Sequence, residues 1–83
     1  MKFKVIWDKK AKDALDKLEI VFARRIIIKV GELSENPFSK DIKRLKGESS
    51  FRLRVGDYRV IFDIVRDAII ILQVEHRKNI YEK

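Results

Sequence analysis

The chain has 83 residues, with 20 Lys and Arg against 13 Asp and Glu, a net charge of +7 and no cysteine. This length suits a single small domain over residues 1–83, whose thin core buries about 60 to 65% of the unfolded surface and leaves little room for an enclosed substrate pocket. The lack of cysteine excludes disulfides and thiolate metal sites. The basic excess points to a polyanion such as nucleic acid, with a lysine-coated solubilising surface as the plain alternative.

The N-terminal stretch MKFKVIWDKK has no long apolar run and looks like neither a signal peptide nor a membrane anchor. Alternation over Lys2–Trp7 predicts a first strand at or near a sheet edge. Asp8 is a suitable N-cap for a helix whose apolar side is Ala11, Ala14, Leu15 and Leu18. Between Glu19 and Glu35, Ile26-Ile27-Ile28 has strand propensity, but Phe22, Ile26, Val30 and Leu33 recur at helical spacing. Arg25, Lys29 and Glu32 fall on the opposite side, where they read as a solvated face. Asn36-Pro37 ends this helix, so the two form a helical hairpin.

Residues 36–50 read as a loop anchored by Leu45, with Lys43, Arg44 and Lys46 in water. From Phe51 to Phe62 the chain reads FRLRVGDYRVIF, two alternating strands meeting at Val55-Gly56-Asp57. Phe51, Leu53 and Val55 face one way and Arg52 and Arg54 the other, while Arg59 lies on the second strand. After the turn at Arg66-Asp67, Ala68–Val74 is apolar enough for a central strand covered on both sides. Regular alternation would put Ile69, Ile71, Gln73, Glu75 and Arg77 on one side of it. The expected order is β-α-α-β-β-β: an α+β fold with a small antiparallel sheet, an N-terminal helical hairpin on one face, and the arginines on the other.

Lys40–Arg59 holds seven basic residues and three acidic ones, so more than half the net charge lies in a quarter of the chain. There is no nucleophile elbow, P-loop, dinucleotide fingerprint or metal-ligand spacing, and one histidine builds no metal site. The expectation is therefore chemistry from Arg, Lys, Tyr and His76, with no cofactor or metal. Such a set can cleave RNA by attack of the 2′-hydroxyl on the neighbouring phosphate. Guanidinium is planar, bidentate and always protonated, which suits it to the charge developing on phosphorus, and His, Lys or Tyr can carry the proton. Each residue also has an ordinary reading. Arg52 and Arg54 suit a solvated strand face, Arg59 a partner for Asp57 or Asp63, His76 a hydrogen-bonded strand end and Tyr81 a core plug.

The segments Lys43-Arg44-Leu45-Lys46-Gly47, FRLRVGDYRVIFDI and His76-Arg77 with Ile80-Tyr81, in this order and spacing, resemble the RelE/ParE superfamily of toxin–antitoxin toxins, closest to the short archaeal RelE-like proteins. The resemblance covers essentially the whole chain. It implies a RelE-like fold and a ribosome-dependent, metal-independent endoribonuclease that cuts mRNA in the A site of cytoplasmic ribosomes. It also implies neutralisation by a RelB-like antitoxin, with a 2:2 heterotetramer formed through that antitoxin as one arrangement. Carried over by position, Arg59 corresponds to the phosphate-stabilising arginine of the YR pair, Arg77 to the arginine beyond the last strand, and Tyr81 to the C-terminal tyrosine. Arg52 and Arg54 fall where typical RelE toxins carry lysines. Arginine is a poor proton shuttle, so His76 becomes the preferred acid–base group and Lys43 and Lys46 weaker ones. The catalytic set is thus Arg54, Arg59, His76, Arg77 and Tyr81, and the RNA-binding set Lys43, Arg44, Lys46 and Arg52. The same resemblance admits a ParE-like gyrase inhibitor without nuclease activity, or an RNA-binding module without catalysis.

Overall fold

A computed structural model describes residues 3–36 and 50–76 in full and the backbone of residues 42–44. The elements run β1 (Lys4–Trp7), α1 (Lys9–Asp16), α2 (Ile20–Glu35), β2 (Ile42–Arg44), β3 (Phe51–Val55), β4 (Tyr58–Val65) and β5 (Ala68–His76). The five strands form one sheet in the order β1-β5-β4-β3-β2.

Both helices start and pack as their apolar spacing dictates. The Asp8 carboxylate caps α1 by accepting from the Lys10 backbone N–H at 3.4 Å. Ala11 and Leu15 of α1, and Ile26, Val30 and Leu33 of α2, join one buried cluster with Leu53, Val55, Val60, Phe62, Ile69, Ile71 and Val74 of the sheet. The hairpin therefore covers a single sheet face. The far end of α2 is tied to the first strand, where the Phe3 N–H donates to the Ser34 carbonyl at 2.8 Å.

Three features depart from the sequence reading. The sheet is mixed, because β1 pairs parallel with β5, aligning Val5 with Ile69 and Trp7 with Ile71. The two strands come from opposite ends of the chain and no turn joins them, so no local pattern carries their direction. Residues 42–44, read as loop, form the edge strand β2, which pairs antiparallel with β3. Three residues are too few for alternation to be legible.

The third departure is in β5. Its pairing with β4 steps from Ile61↔Gln73 to Phe62↔Ile71, which leaves Leu72 as an inserted bulge residue. One extra residue exchanges the faces of everything after it. Ile69 and Ile71 point into the core, and beyond the bulge Val74 does so instead of Gln73. The regular alternation expected for Ile69, Ile71, Gln73 and Glu75 is thus broken in the middle, and Arg77 lies outside the described residues. Nor is β5 the central, doubly covered strand. It lies between β1 and β4, and Ile70 and Leu72 remain half-buried.

Two tight hairpins connect β3, β4 and β5. Gly56 takes φ 58° in the first, and Arg66 takes φ 58° in the equivalent place of the second. An L-residue is strained there by about 1 to 2 kcal/mol. Arg66→Gly should consequently stabilise the protein by up to about 1 kcal/mol, once the greater chain entropy of glycine is set against the relieved strain. Gly56→Ala should destabilise it by about 1 kcal/mol or more. A Cβ at Gly56 would meet nothing within 4 Å, so that loss is conformational and not steric. Urea unfolding of the two variants should shift in opposite directions.

Candidate functional site

The hairpin β3–β4 places three guanidinium groups on the sheet face away from the helices. Leu53, Val55, Val60 and Phe62 are buried in the core, so Arg52, Arg54 and Arg59 project from the other side by the alternation of a strand. The register puts Arg54 directly across from Arg59 and Arg52 across from Ile61. Like charges opposed in this way repel and weaken a sheet.

Arg59 is the most constrained of the three, with only 8% of its surface exposed. Its Nη1 donates to the Gly56 carbonyl at 3.3 Å and to the Tyr58 carbonyl at 3.1 Å. The tight turn presents both acceptors, so the turn holds the guanidinium in place. Among the described residues Arg59 forms no ion pair; Glu75 occupies the register position across from it on β5 without bridging to it. The guanidinium is thus held by two neutral carbonyls. Arg54 is exposed and Arg52 half-exposed, so both side chains reach solvent.

The other proposed site residues are distributed as follows. Lys43 and Arg44 belong to β2, at register positions opposite Arg52 and Phe51. Lys46, Arg77 and Tyr81 lie outside the described residues. His76, assigned the acid–base role among these residues, lies on the reverse side of the sheet, the side it takes beyond the Leu72 bulge. It pairs in register with Tyr58, and the two rings meet edge-to-face, 5.0 Å apart at 88°. Tyr58 in turn leans on Phe22 of α2, with ring centroids 5.5 Å apart. The fold gathers Arg52, Arg54 and Arg59 and sets His76 behind them.

Two basic residues escaped the sequence reading. Arg25 and Lys29 of α2 line a recess of about 440 Å³ together with Ile28, Arg54, Val55 and Gly56. Their four-residue spacing is what any solvated helix face shows, and only the proximity of β3 sets them apart. Among the described residues no three His, Asp or Glu side chains come together as metal ligands would, and no helix is long and apolar enough to cross a membrane.

Residues 5–81 match a family model described as the ParE toxin of the type II toxin–antitoxin system parDE. Toxin RelE3 of Methanocaldococcus jannaschii is 44% identical over 50 residues, which is 59% of this chain and 57% of that protein. The match therefore spans little more than half the length of that relative. Among solved structures, the toxin–antitoxin complex RelBE2 of Mycobacterium tuberculosis contains a chain with a TM-score of 0.82 and 28% identity, covering 93% of this chain and 100% of that one. The archaeal RelE–RelB complex of Pyrococcus horikoshii matches with a TM-score of 0.81 and 29% identity, covering 93% of this chain and 97% of that one.

Proposed function

Because the chain belongs to the ParE toxin family of type II toxin–antitoxin systems, we propose that it is the toxin of such a pair and acts as an endoribonuclease on mRNA in the ribosomal A site. The observation that carries this reading is Arg59, a buried guanidinium anchored by two carbonyls and free of any ion pair among the described residues. Fixed positive charge aimed at a phosphate is the most useful thing a protein can offer to phosphodiester cleavage.

In the proposed step the 2′-oxygen of the RNA attacks the adjacent phosphorus. The bond to the 5′-oxygen of the next nucleotide breaks, leaving a 2′,3′-cyclic phosphate and a 5′-hydroxyl. Arg59 and Arg54 take the charge that gathers on the non-bridging oxygens, and Arg52 with Lys43, Arg44 and Lys46 holds the flanking backbone. From the chain that follows β5, Tyr81 orients the attacking 2′-hydroxyl, whose proton passes to solvent water while the leaving 5′-oxygen takes one from water, and Arg77 adds charge at the phosphate. His76 packs on Tyr58 behind the arginine face, so its role here is to position the chain entering Arg77. His76→Ala should accordingly lower kcat by less than about tenfold, below the 10²–10⁴-fold loss of a general acid or base. A larger loss, with KM unchanged, would return the proton transfer to His76.

The partner proposed is an acidic, RelB-like antitoxin. Ile20, Val21, Ile27 and Ile28 leave an apolar strip on α2, exposed by 69, 57, 52 and 61%. Such a strip suits the apolar side of a partner helix. Because the family model describes a ParE toxin, gyrase inhibition is the second reading. Purified chain added in parallel to a translation extract and a supercoiling assay separates the two. Cut ribosome-bound mRNA supports the nuclease, whereas lost supercoiling with intact mRNA supports the gyrase inhibitor.

A further inference from the structure

We propose that the recess between α2 and the end of β3 is a second nucleotide subsite. It holds the backbone phosphate and sugar of the RNA residue next to the one gripped on the sheet face. This rests on the nuclease reading above and extends it by fixing the path of the substrate.

The recess, about 440 Å³, is lined by Arg25, Lys29 and Arg54 and by no acidic residue. Lys29 lies 3.6 Å from Glu32 on the helix surface, a solvent-exposed pair of the kind that contributes little. Arg25 and Arg54 form no ion pair among the described residues. Three cations around one hollow repel each other until an anion enters, and a polyanion satisfies several at once. The apolar floor of Ile28 and Val55 gives a sugar or base something to cover. Gly56 leaves the backbone bare at the rim, since even a Cβ there would meet nothing within 4 Å.

Arg54 connects the two sites. It stands across from Arg59 on the sheet face and also lines the recess. A chain of phosphates can therefore pass from Arg59 over Arg54 to Arg25 and Lys29 without leaving positive charge. An acidic protein segment fits less well. Of the exposed strip on α2 only Ile28 reaches the recess, and Ile20, Val21 and Ile27 do not line it.

The test uses a fluorescein-labelled single-stranded RNA with 2′-O-methyl groups, which binds but lacks the attacking hydroxyl. Fluorescence anisotropy across a salt series compares the intact chain with Arg25→Gln/Lys29→Gln. Both replaced residues reach solvent, and circular dichroism checks that the fold is kept. The double variant should bind about tenfold more weakly at low salt, and its slope of log K against log salt should fall by about 0.7, the share of one single-strand phosphate. An unchanged affinity and slope would overturn the subsite while leaving the nuclease reading intact. Intact RNA binding with lost binding of an acidic antitoxin would make the recess a protein contact, and also overturn it. Failure of this RNA to bind the unaltered chain would likewise overturn the subsite, whereas the nuclease reading is overturned separately, by ribosome-bound mRNA that the unaltered chain leaves intact.

Discussion

Arg59→Ala should lower the cleavage of ribosome-bound mRNA by about 10² to 10³-fold, the usual loss for one preorganised donor to a transition-state oxyanion. That factor corresponds to about 2.7 to 4 kcal/mol of barrier. The reason lies in how Arg59 is held. Two backbone carbonyls at 3.1 and 3.3 Å fix its Nη1, so no reorganisation is needed when charge develops on the phosphate. The loss should fall on kcat and kcat/KM together, since the interaction strengthens in the transition state. Arg59→Lys should recover little, because an ammonium group cannot satisfy two carbonyls and a phosphate in one plane. Arg54→Ala should cost less, because that side chain is exposed and Arg59 still orients the phosphate. Single-turnover cleavage on stalled ribosomes, read by primer extension, measures all three. Equal rates for Arg59→Ala and the unaltered chain would refute the site.

The largest effect on stability belongs to Phe62→Ala, which should destabilise the protein by about 3 to 5 kcal/mol. Phe62 is completely buried and its ring stacks on Phe51 with centroids 5.5 Å apart. Removing it leaves a cavity on β4, the middle strand of the sheet. Small domains hold only about 5 to 15 kcal/mol in total, and a loss of this size lowers Tm by roughly 12 to 40 °C at this chain length. Ile61→Ala, one residue away on the arginine face, should cost about 1 kcal/mol because that side chain is only half-buried. Thermal melts of the two variants, followed by circular dichroism, test which face carries the core. Equal losses would mean that the two faces contribute alike.

What could be read in advance followed local rules. The helical spacing of Phe22, Ile26, Val30 and Leu33 outweighed the strand propensity of three consecutive isoleucines, and the burial of the last three repeats bears this out. The cap at Asp8, the turn at Gly56 and the alternation of Phe51–Val55 are likewise short-range. The arginine face was therefore legible: Leu53 and Val55 select the core side, and Arg52 and Arg54 take the other. Arg59 was legible as a member of that face. Its burial was not, because that depends on carbonyls the turn supplies only once folded.

Errors arose where a single residue or a distant pairing governed the outcome. Leu72 looks like any other member of the apolar run Ala68–Val74, yet as a bulge it exchanges the faces of Gln73, Val74, Glu75 and His76. This is why His76 meets Tyr58 edge-to-face and does not stand among the guanidinium groups. The basic recess escaped for a related reason. Arg25 and Arg54 are 29 positions apart by numbering, and their meeting across α2 and β3 belongs to packing.

The helical hairpin, the β3–β4 ribbon and a basic sheet face follow from apolar and charged residues spaced a few positions apart, and so are written in local order alone. Strand direction between the chain ends, the edge strand β2 and the exchange of faces along β5 at Leu72 arose only in three dimensions. Their physical origin is pairing between distant segments and a one-residue slip in register, and neither alters the local pattern from which a sequence is read.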